Sequence, residues 1–217
     1  MVVAAGRGVR FGRRKQYARL AGRSVLEWSV AAATEACVGV VVVLPPEDVA
    51  AVGGDLHEVV VVPGGETRSA SVRSGLDAVP SAVEVVAVHD AARPLAGADV
   101  WARVLAAVSA GADAAIPVVP VTDTIKQVDG TGSVRTLDRD SLVAVQTPQA
   151  FRADVLRRAH AGAGEATDDA ALVEALGGRV VLVEGGVDNL KMTTTADLLV
   201  AEALARRGPV GAGRGEA

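Results

Sequence analysis

The sequence predicts an α/β protein in which helices cover a mostly parallel sheet. Several runs consist almost entirely of Val, Ala and Leu and are bounded by Gly, Pro or charged residues. Such continuous β-branched runs are typical of strands buried on both faces, as in parallel sheets. Helix-like segments alternate with these runs, which indicates a layered sheet with right-handed crossovers. Ligands of such sheets bind at the carboxyl ends of the strands.

The elements follow one another along almost the whole chain. The predicted strands are Met1–Ala5, Val38–Leu44, Glu58–Val62, Val83–His89, Ala112–Val118 and Arg179–Glu184. The predicted helices are Ser24–Ala36, Thr67–Ala78, Ala98–Ala110, Ala153–Ala161, Asp168–Leu176 and Thr195–Arg207. Ser24 precedes the first helix and Glu27 follows three residues later, which is the pattern of a capping box. We expect a single domain over 1–207 and a flexible tail over 208–217.

One region, 121–145, breaks the alternation. Thr124–Val128 and Ser133–Leu137 read as two strands joined by Asp129-Gly130-Thr131-Gly132, which predicts a hairpin. A lone hairpin is marginal in water, so we expect it to pack on something. A partner subunit in a twofold dimer and the hairpin's own domain are both open alternatives.

Composition excludes several functional classes. A net charge of -4 argues against a general nucleic-acid-binding surface, so the arginines are expected to act locally. No apolar run approaches the ~20 residues of a membrane span. The single cysteine, Cys37, excludes an internal disulfide framework and suits a reducing compartment, so we expect a cytoplasmic protein. The three histidines and Cys37 form no metal-ligand pattern.

The loop after the first strand is the strongest candidate for ligand binding. It carries three glycines and a dense group of cations, namely Arg7, Arg10, Arg13, Arg14 and Lys15. Glycines let backbone N–H groups face a ligand, and the cations favour a polyanion such as a nucleoside triphosphate. The alternative is a glycine turn with solvated arginines.

Two further segments follow predicted strands. Asp90 ends a buried strand, where its carboxylate suits a Mg²⁺ ion carried in by a nucleotide, and Arg93 could pair with Asp90 or with phosphate. The alternative is a structural Asp90–Arg93 ion pair. Gly65 and Ser71 lie where a strand gives way to a helix and could read the edge of a base. The alternative is a glycine turn with Glu66 or Thr67 as the helix cap.

A last segment precedes the final helix. Lys191 lies among hydroxyl and amide side chains in Asp188–Thr195, which suits an anion. The alternative is a solvated lysine beside a helix cap.

Taken together, these segments resemble the family of 2-C-methyl-D-erythritol 4-phosphate cytidylyltransferases. The matching motifs, in family order, are Ala4–Arg10 with Lys15-Gln16-Tyr17, His89–Pro94, Asp123–Lys126, Asp138-Arg139, Gln146–Gln149, Thr167–Ala170 and Asp188–Thr193. Each motif is modest, but seven in order from residue 2 to about 200 form a specific signal.

The resemblance implies a Rossmann-like, three-layer nucleotidyltransferase fold with a projecting β-arm over 121–145 that forms a homodimer. It implies that CTP reacts with 2-C-methyl-D-erythritol 4-phosphate, with Mg²⁺ bound, to give 4-diphosphocytidyl-2-C-methyl-D-erythritol and pyrophosphate. This reaction belongs to non-mevalonate isoprenoid biosynthesis.

The resemblance also implies roles for individual residues. Arg10 and Lys15 would stabilise the transition state, while Arg139 and Lys191 would hold the acceptor phosphate. The residues around the nucleotide would be Ala4, Ala5, Gly6, Gly8, Gly65, Glu66, Ser71 and Asp90, with Asp90 near the metal. Thr124 and Thr167 would contact the acceptor, and the partner subunit would supply Thr124 and Arg139.

The chain departs from the family pattern at a few positions. Arg14 and Val3 stand where proline is usual, and we expect Arg14 to loosen the loop that carries Lys15. Glu66 replaces the usual aspartate, which puts its contact with the base in doubt.

Two other functions are compatible with the pattern. A ribitol-5-phosphate cytidylyltransferase would share the CTP loop, although Ala92 favours the methylerythritol acceptor. A non-catalytic nucleotide-binding module is the second alternative, and the four cations Arg10, Lys15, Arg139 and Lys191 argue against it.

Overall fold

The fold is built on one central sheet in a computed structural model that describes residues 1–6, 14–52, 56, 59–162, 164–166 and 168–207. The strands are β1 (Val2–Val3), β2 (Arg19–Leu20), β3 (Arg23–Ser24), β4 (Val41–Leu44), β5 (Val60–Pro63), β6 (Val85–Asp90), β7 (Ala114–Pro120), β8 (Lys126–Val128), β9 (Val134–Thr136), β10 (Val143–Val145), β11 (Gln149–Arg152) and β12 (Val180–Glu184). The helices are α1 (Val25–Ala36), α2 (Val49–Val52), α3 (Arg68–Asp77), α4 (Ala98–Ser109), α5 (Ala153–His160), α6 (Asp169–Ala175) and α7 (Thr195–Arg207).

The central sheet is mostly parallel, as predicted. Its strands run in the order β10-β7-β11-β6-β1-β4-β5, and β12 pairs with β7 in parallel. The antiparallel members are β10, which pairs with β7, and β11, which lies between β6 and β7. The parallel strands β1, β4, β5 and β6 end at one edge, so the segments that follow them lie together there.

Two apolar layers cover the sheet and make the three-layer architecture. Successive valines of β4 face opposite sides: Val43 belongs to an apolar cluster with residues of α3, α5 and α6, whereas Val42 belongs to one with residues of α1 and with Trp101 of α4. This alternation explains why the strand sequence is apolar at every position: each face meets a layer of helices. The resulting core is aliphatic apart from Trp101 and Phe151, which are fully buried.

The predicted helices form with small differences at their ends. Ser24 caps α1 through the predicted capping box, since its hydroxyl accepts from Glu27 N at 3.1 Å and its N–H donates to Glu27 Oε2 at 2.5 Å. Thr67 caps α3, where its hydroxyl accepts from Ala70 N at 3.0 Å.

Four strands were not predicted. β2 and β3 form a short hairpin whose turn holds Ala21 and Gly22 at positive φ. β10 and β11 lie in a stretch that alternates too little to read as a strand, and the tripeptide between them contains the cis peptide Thr147-Pro148. β11 matters most for the site, because it inserts between β6 and β7 and carries Gln149.

The predicted hairpin forms as β8 and β9, which pair with each other in a separate two-stranded sheet. All six strand residues of this β-arm are exposed, including Val128 at 63% and Val134 at 58%. The chain's own domain therefore leaves these six strand residues exposed to solvent.

Within the part of the chain that the structure describes, no helix is both long enough and apolar enough to cross a membrane.

Candidate active site

A cleft of about 800 Å³ lies at the carboxyl ends of β1, β4, β5 and β6. Nine residues predicted for the site line it, namely Ala4, Ala5, Gly6, Lys15, Gly65, Glu66, Ser71, Asp90 and Lys191. They come from five separate stretches of the chain, which the parallel strands bring to one edge of the sheet. Three other predicted residues, Gly8, Arg10 and Thr167, lie outside the described residues.

The turn between β5 and α3 forms one wall of the cleft by close backbone approach. A Cβ atom on Gly64 would lie 2.4 Å from the Ala5 Cβ and 2.9 Å from the Ser71 Oγ, so only glycine fits there. Ser71 Oγ accepts from Gly65 N at 3.2 Å and donates to Thr67 O at 2.9 Å. The buried Ser71 hydroxyl therefore stabilises the turn, while exposed Glu66 extends from it at the cleft.

Asp90 lies at the end of β6 between two cations. Lys191 Nζ donates to Asp90 Oδ2 at 2.6 Å, and Arg68 Nε lies 3.4 Å from Asp90 Oδ1. Burial would raise the pKa of the Asp90 carboxyl, but the charges of Arg68 and Lys191 outweigh it and hold that pKa well below its ordinary value. Asp90 is thus an ionised carboxylate that gathers two cations at the floor of the cleft.

Arg68 connects this floor to a buried hydrogen bond between Asp169 and His160. Its NH2 group lies 2.8 Å from Asp169 Oδ2, and Asp169 Oδ1 lies 3.0 Å from His160 Nε2. The side chains of Asp169 and His160 are only 1% and 2% exposed. Burial would raise the pKa of Asp169, but the hydrogen bond from His160 and the charge of Arg68 lower it below its ordinary value. A chain of four polar groups therefore fixes Arg68 against Asp90.

Arg93 does not pair with Asp90, so the predicted Asp90–Arg93 ion pair is wrong. The Arg93 guanidinium instead donates to the carbonyls of Asn189 at 2.7 Å and Val145 at 3.1 Å. The reason is geometric: the Arg93 guanidinium lies between the loop before α7 and the end of β10 and joins them through these two carbonyls.

His89 is buried beneath Asp90 and is structural. Its ring bonds Arg93 O at 3.1 Å through Nε2 and Thr147 Oγ1 at 3.1 Å through Nδ1, and it packs on Trp101 with ring centroids 5.2 Å apart. Thr147 Oγ1 in turn accepts from Asp90 N at 3.0 Å. Burial lowers the pKa of His89 to about 4, so the ring is neutral at pH 7.

Lys15 begins the 3₁₀ turn Lys15–Tyr17 at the rim of the cleft, and its Nζ donates to Met192 O at 3.1 Å. Arg14 forms ion pairs with Glu47 and with both carboxylate oxygens of Asp48. Tyr17 also donates to Asp48 Oδ2, at 2.7 Å. Arg14 therefore anchors the turn that carries Lys15, in contrast to the loosening that the loss of proline led us to expect.

A second cavity of about 290 Å³ adjoins the cleft, and Arg68, Asp90 and Lys191 line both. Its other walls are Arg93, Val145, Gln146, Thr147, Gln149 and Asp168. Three cationic side chains therefore border a small polar cavity next to the larger one, an arrangement that suits two anionic ligands side by side.

Two predicted site residues lie on or near the β-arm rather than in either cavity. Thr124 is exposed, and Arg139 donates to Thr122 O at 3.0 Å with its side chain 54% exposed. A single copy of the chain does not bring them to the cleft.

The described residues contain no group of three or more His, Cys, Asp or Glu side chains that could hold a metal ion. Asp90 offers a single ionised carboxylate in the cleft, and its Oδ1 is only loosely engaged by Arg68 at 3.4 Å. One carboxylate fits a Mg²⁺ ion that takes its remaining ligands from phosphate oxygens and water.

Comparison with known proteins decides the family. A family model described as 2-C-methyl-D-erythritol 4-phosphate cytidylyltransferase matches residues 1–207. The chain belongs to this family. A cytidylyltransferase of this name from Saccharopolyspora erythraea is 48% identical over 94% of this chain and 97% of its own. One from Streptomyces avermitilis is 46% identical over 95% of this chain and 91% of its own.

Solved structures agree with the family assignment. The crystal structure of the 2-C-methyl-D-erythritol 4-phosphate cytidylyltransferase from Thermus thermophilus matches with a TM-score of 0.80 at 41% identity, covering 94% of this chain and 97% of that one. The predicted resemblance and the Rossmann-like nucleotidyltransferase fold are therefore confirmed.

Sequence reasoning missed the roles of Arg68, Asp169 and His160. Arg68 lies in the predicted helix Thr67–Ala78, but its bond to Asp90 crosses from α3 to β6 and has no local pattern. His160 lies outside every motif, and only the placement of α5 beside α6 brings it to Asp169. One feature of the sequence could have pointed to Arg68: it is the first residue of a helix that begins just after a double-glycine turn.

Proposed function

We propose that this protein transfers the cytidylyl group of CTP to 2-C-methyl-D-erythritol 4-phosphate, as a cytoplasmic homodimer in non-mevalonate isoprenoid biosynthesis. The observation that carries the proposal is the convergence of Arg68 and Lys191 on Asp90 where two cavities meet, with Lys15 lining the larger of them. The membership of the chain in this family identifies the nucleotide and favours the methylerythritol acceptor over ribitol 5-phosphate.

The chemistry follows from the charges of the reactants. A phosphate oxygen of the acceptor attacks the α-phosphorus of CTP and forms a new P–O bond, while the bond to the bridging oxygen breaks and pyrophosphate leaves with that electron pair. The attacking oxygen is already ionised, so the step needs no general base. Catalysis then depends on positioning and on neutralising repulsion between two anions.

The cations of the site have complementary tasks. Lys15 at the rim faces the larger cleft, where it can neutralise the triphosphate as a point charge. Lys191 and Arg68 border both cavities, so they can draw the acceptor phosphate toward the α-phosphorus. Asp90 holds these two cations in place before either reactant binds. Arg10, outside the described residues, is proposed to bind the triphosphate with Lys15.

The nucleoside is proposed to lie along the wall formed by Ala4, Ala5 and Gly6 and the turn at Gly65. Gly6 and Gly65 are exposed there, and a Cβ atom on Gly6 would meet nothing within 4 Å, so a ligand can approach the backbone closely. Mg²⁺ is proposed to bind at Asp90 together with the triphosphate, where it would neutralise charge that develops on the phosphates. The residues of the chain itself orient both reactants.

The dimer is proposed to complete the acceptor site. Thr124 and Arg139 are exposed near an arm whose two strands pair with each other outside the central sheet, and the Val128 and Val134 side chains leave apolar surface uncovered. A twofold partner that accepts this arm would bury those valines and receive Arg139 at its own smaller cavity, together with Thr167 from its own chain.

The test is pyrophosphate release by the purified chain with Mg²⁺. CTP is compared with ATP, GTP and UTP, and each nucleotide is offered 2-C-methyl-D-erythritol 4-phosphate and ribitol 5-phosphate in parallel. The proposal expects release with CTP and the methylerythritol acceptor well above every other pair. Equal or faster release with ribitol 5-phosphate would overturn the acceptor, and CTP binding without turnover on either acceptor would favour the non-catalytic module.

A further inference from the structure

The Asp48 carboxylate accepts hydrogen bonds from Arg14 and Tyr17, which lie on either side of Lys15 in the sequence. Arg14 precedes Lys15 and places one guanidinium nitrogen on both oxygens of the Asp48 carboxylate, while Tyr17 donates to Asp48 Oδ2 at 2.7 Å. Asp48 therefore fastens both ends of the short turn Lys15–Tyr17 to one point. Asp48 ends the 3₁₀ turn Pro46–Asp48, which follows β4 and whose Pro46 and Glu47 line the cleft.

The geometry of this contact is restrictive. The Asp48 side chain is 15% exposed, and Glu47 takes a second nitrogen of the same guanidinium. A planar guanidinium held by two carboxylates loses most of its freedom, because its fork and the carboxylates define a common orientation. Burial and the bond to Asp48 raise the pKa of Tyr17, so its phenol remains a donor.

A fixed backbone at this turn matters most for the position of the Lys15 ammonium group. Its side chain is long and flexible, and its Nζ reaches Met192 O, one residue after Lys191. A small displacement of the turn would carry the ammonium group away from Met192 O and from its place in the cleft. We propose that Asp48 is a positioning residue that holds Lys15 at the reacting phosphates through Arg14 and Tyr17. This inference rests on the proposed function, in which Lys15 neutralises the triphosphate.

Asp48 is a clean site for the test because it does not line the cleft, whereas Arg14, Lys15 and Glu47 do. Asp48→Asn removes the charge and keeps the size of the side chain, so a loss of turnover cannot come from a lost contact between Asp48 itself and substrate. Asp48→Asn is expected to lower kcat by about 10-fold, as misplacement of a reacting group does, with a smaller change in the KM for CTP. Tyr17→Phe is expected to give a smaller loss in the same direction.

A double-variant cycle separates positioning from a general structural role. In the Lys15→Ala background, adding Asp48→Asn is expected to change kcat by no more than about twofold, because the group that it positions is gone. The matched control is Asp154→Asn, which breaks a two-point ion pair with Arg152 at 3.2 Å on the surface of α5 and is expected to retain full turnover. An undiminished loss in the Lys15→Ala background, or full turnover of Asp48→Asn, would overturn the inference.

Lysine reactivity gives a readout that does not depend on turnover. The chain has three lysines, Lys15, Lys126 and Lys191, so acetylation of each is resolved by mass spectrometry. Asp48→Asn is expected to speed acetylation of Lys15 relative to Lys126, which lies on the exposed arm and bonds Thr136. An unchanged ratio would overturn the positioning role. A changed ratio in a chain that turns over no acceptor would uphold it while the proposed function fails.

Discussion

The cleft and the β-arm hold their polar residues in opposite ways. Asp90 and Arg68 in the cleft contact partners from α3, α6 and the loop before α7, so distant parts of one chain fix each group. Among the described residues, Arg139 beside the arm pairs with its neighbour Asp140 and donates to the carbonyl of Thr122, and it stays half exposed. A single chain thus fixes the polar side chains of the cleft but leaves Arg139 beside the arm half exposed. This is the arrangement expected if the arm contacts another subunit.

The largest expected effect is the loss of a cleft cation. Lys15→Ala is expected to lower turnover on the order of 10²-fold or more, because a preorganised donor to developing phosphate charge is removed. The measurement is steady-state pyrophosphate release with CTP and 2-C-methyl-D-erythritol 4-phosphate. Arg206→Ala, which removes a cation that is 77% exposed on α7, is the control and should keep normal turnover. A near-normal rate for Lys15→Ala would remove Lys15 from the catalytic role.

The next effect contrasts a buried ion pair with one beside the arm. Asp169→Asn leaves Arg68 and His160 without their shared carboxylate, so the free energy of unfolding is expected to fall by about 3 kcal/mol. Asp140→Asn breaks the pair with Arg139, whose atoms are 3.9 Å apart and exposed, and is expected to change it by less than about 0.5 kcal/mol. Urea unfolding of both variants at one protein concentration measures the difference. Equal losses would contradict the contrast between the two regions.

A smaller and pH-dependent effect comes from His89. Burial lowers the pKa of His89 to about 4 in the folded chain, whereas an exposed histidine titrates near pH 6.5. Between these values the unfolded chain binds more protons, so the free energy of unfolding falls as the pH drops from about 6.5 to 4. The expected contribution is at most roughly 3 kcal/mol over that window.

The comparison for this pH dependence is His89→Gln, which cannot titrate. Its free energy of unfolding, measured by urea at several pH values, should fall less steeply than that of the wild-type chain between pH 6.5 and 4. Parallel slopes for the two proteins would show that His89 is not the group responsible.

Local patterns predicted most of the fold, because parallel strands and capped helices leave clear marks in sequence. The valines of β4 and the capping box at Ser24 are examples, since each depends on neighbours only a few residues away. β11 escaped prediction because its residues, Gln149 to Arg152, are half polar and gain burial only by lying between β6 and β7.

The residues of the candidate site were likewise predictable only where the signal is local. Residues that end strands, such as Asp90, could be placed from sequence since the carboxyl edge of a parallel sheet is where strand ends meet. The side chains that pair with Asp90 could not be placed from sequence. Arg68 reaches Asp90 from another element, and the expected partner, Arg93, bonds backbone carbonyls instead. Arg14 shows the same limit: its anchor, Asp48, is 34 residues away.

The most direct test of the contrast between cleft and arm is a mixing experiment with two impaired variants. Lys191→Ala damages a cleft, and Arg139→Ala damages an arm. After subunit exchange, confirmed by pull-down of differently tagged chains, a mixed dimer contains one cleft with its own Lys191 and the Arg139 of its neighbour. We predict that the mixture releases pyrophosphate faster than the sum of the separate variants. Exchange without any recovery of activity would contradict the claim that the arm acts on the cleft of a partner.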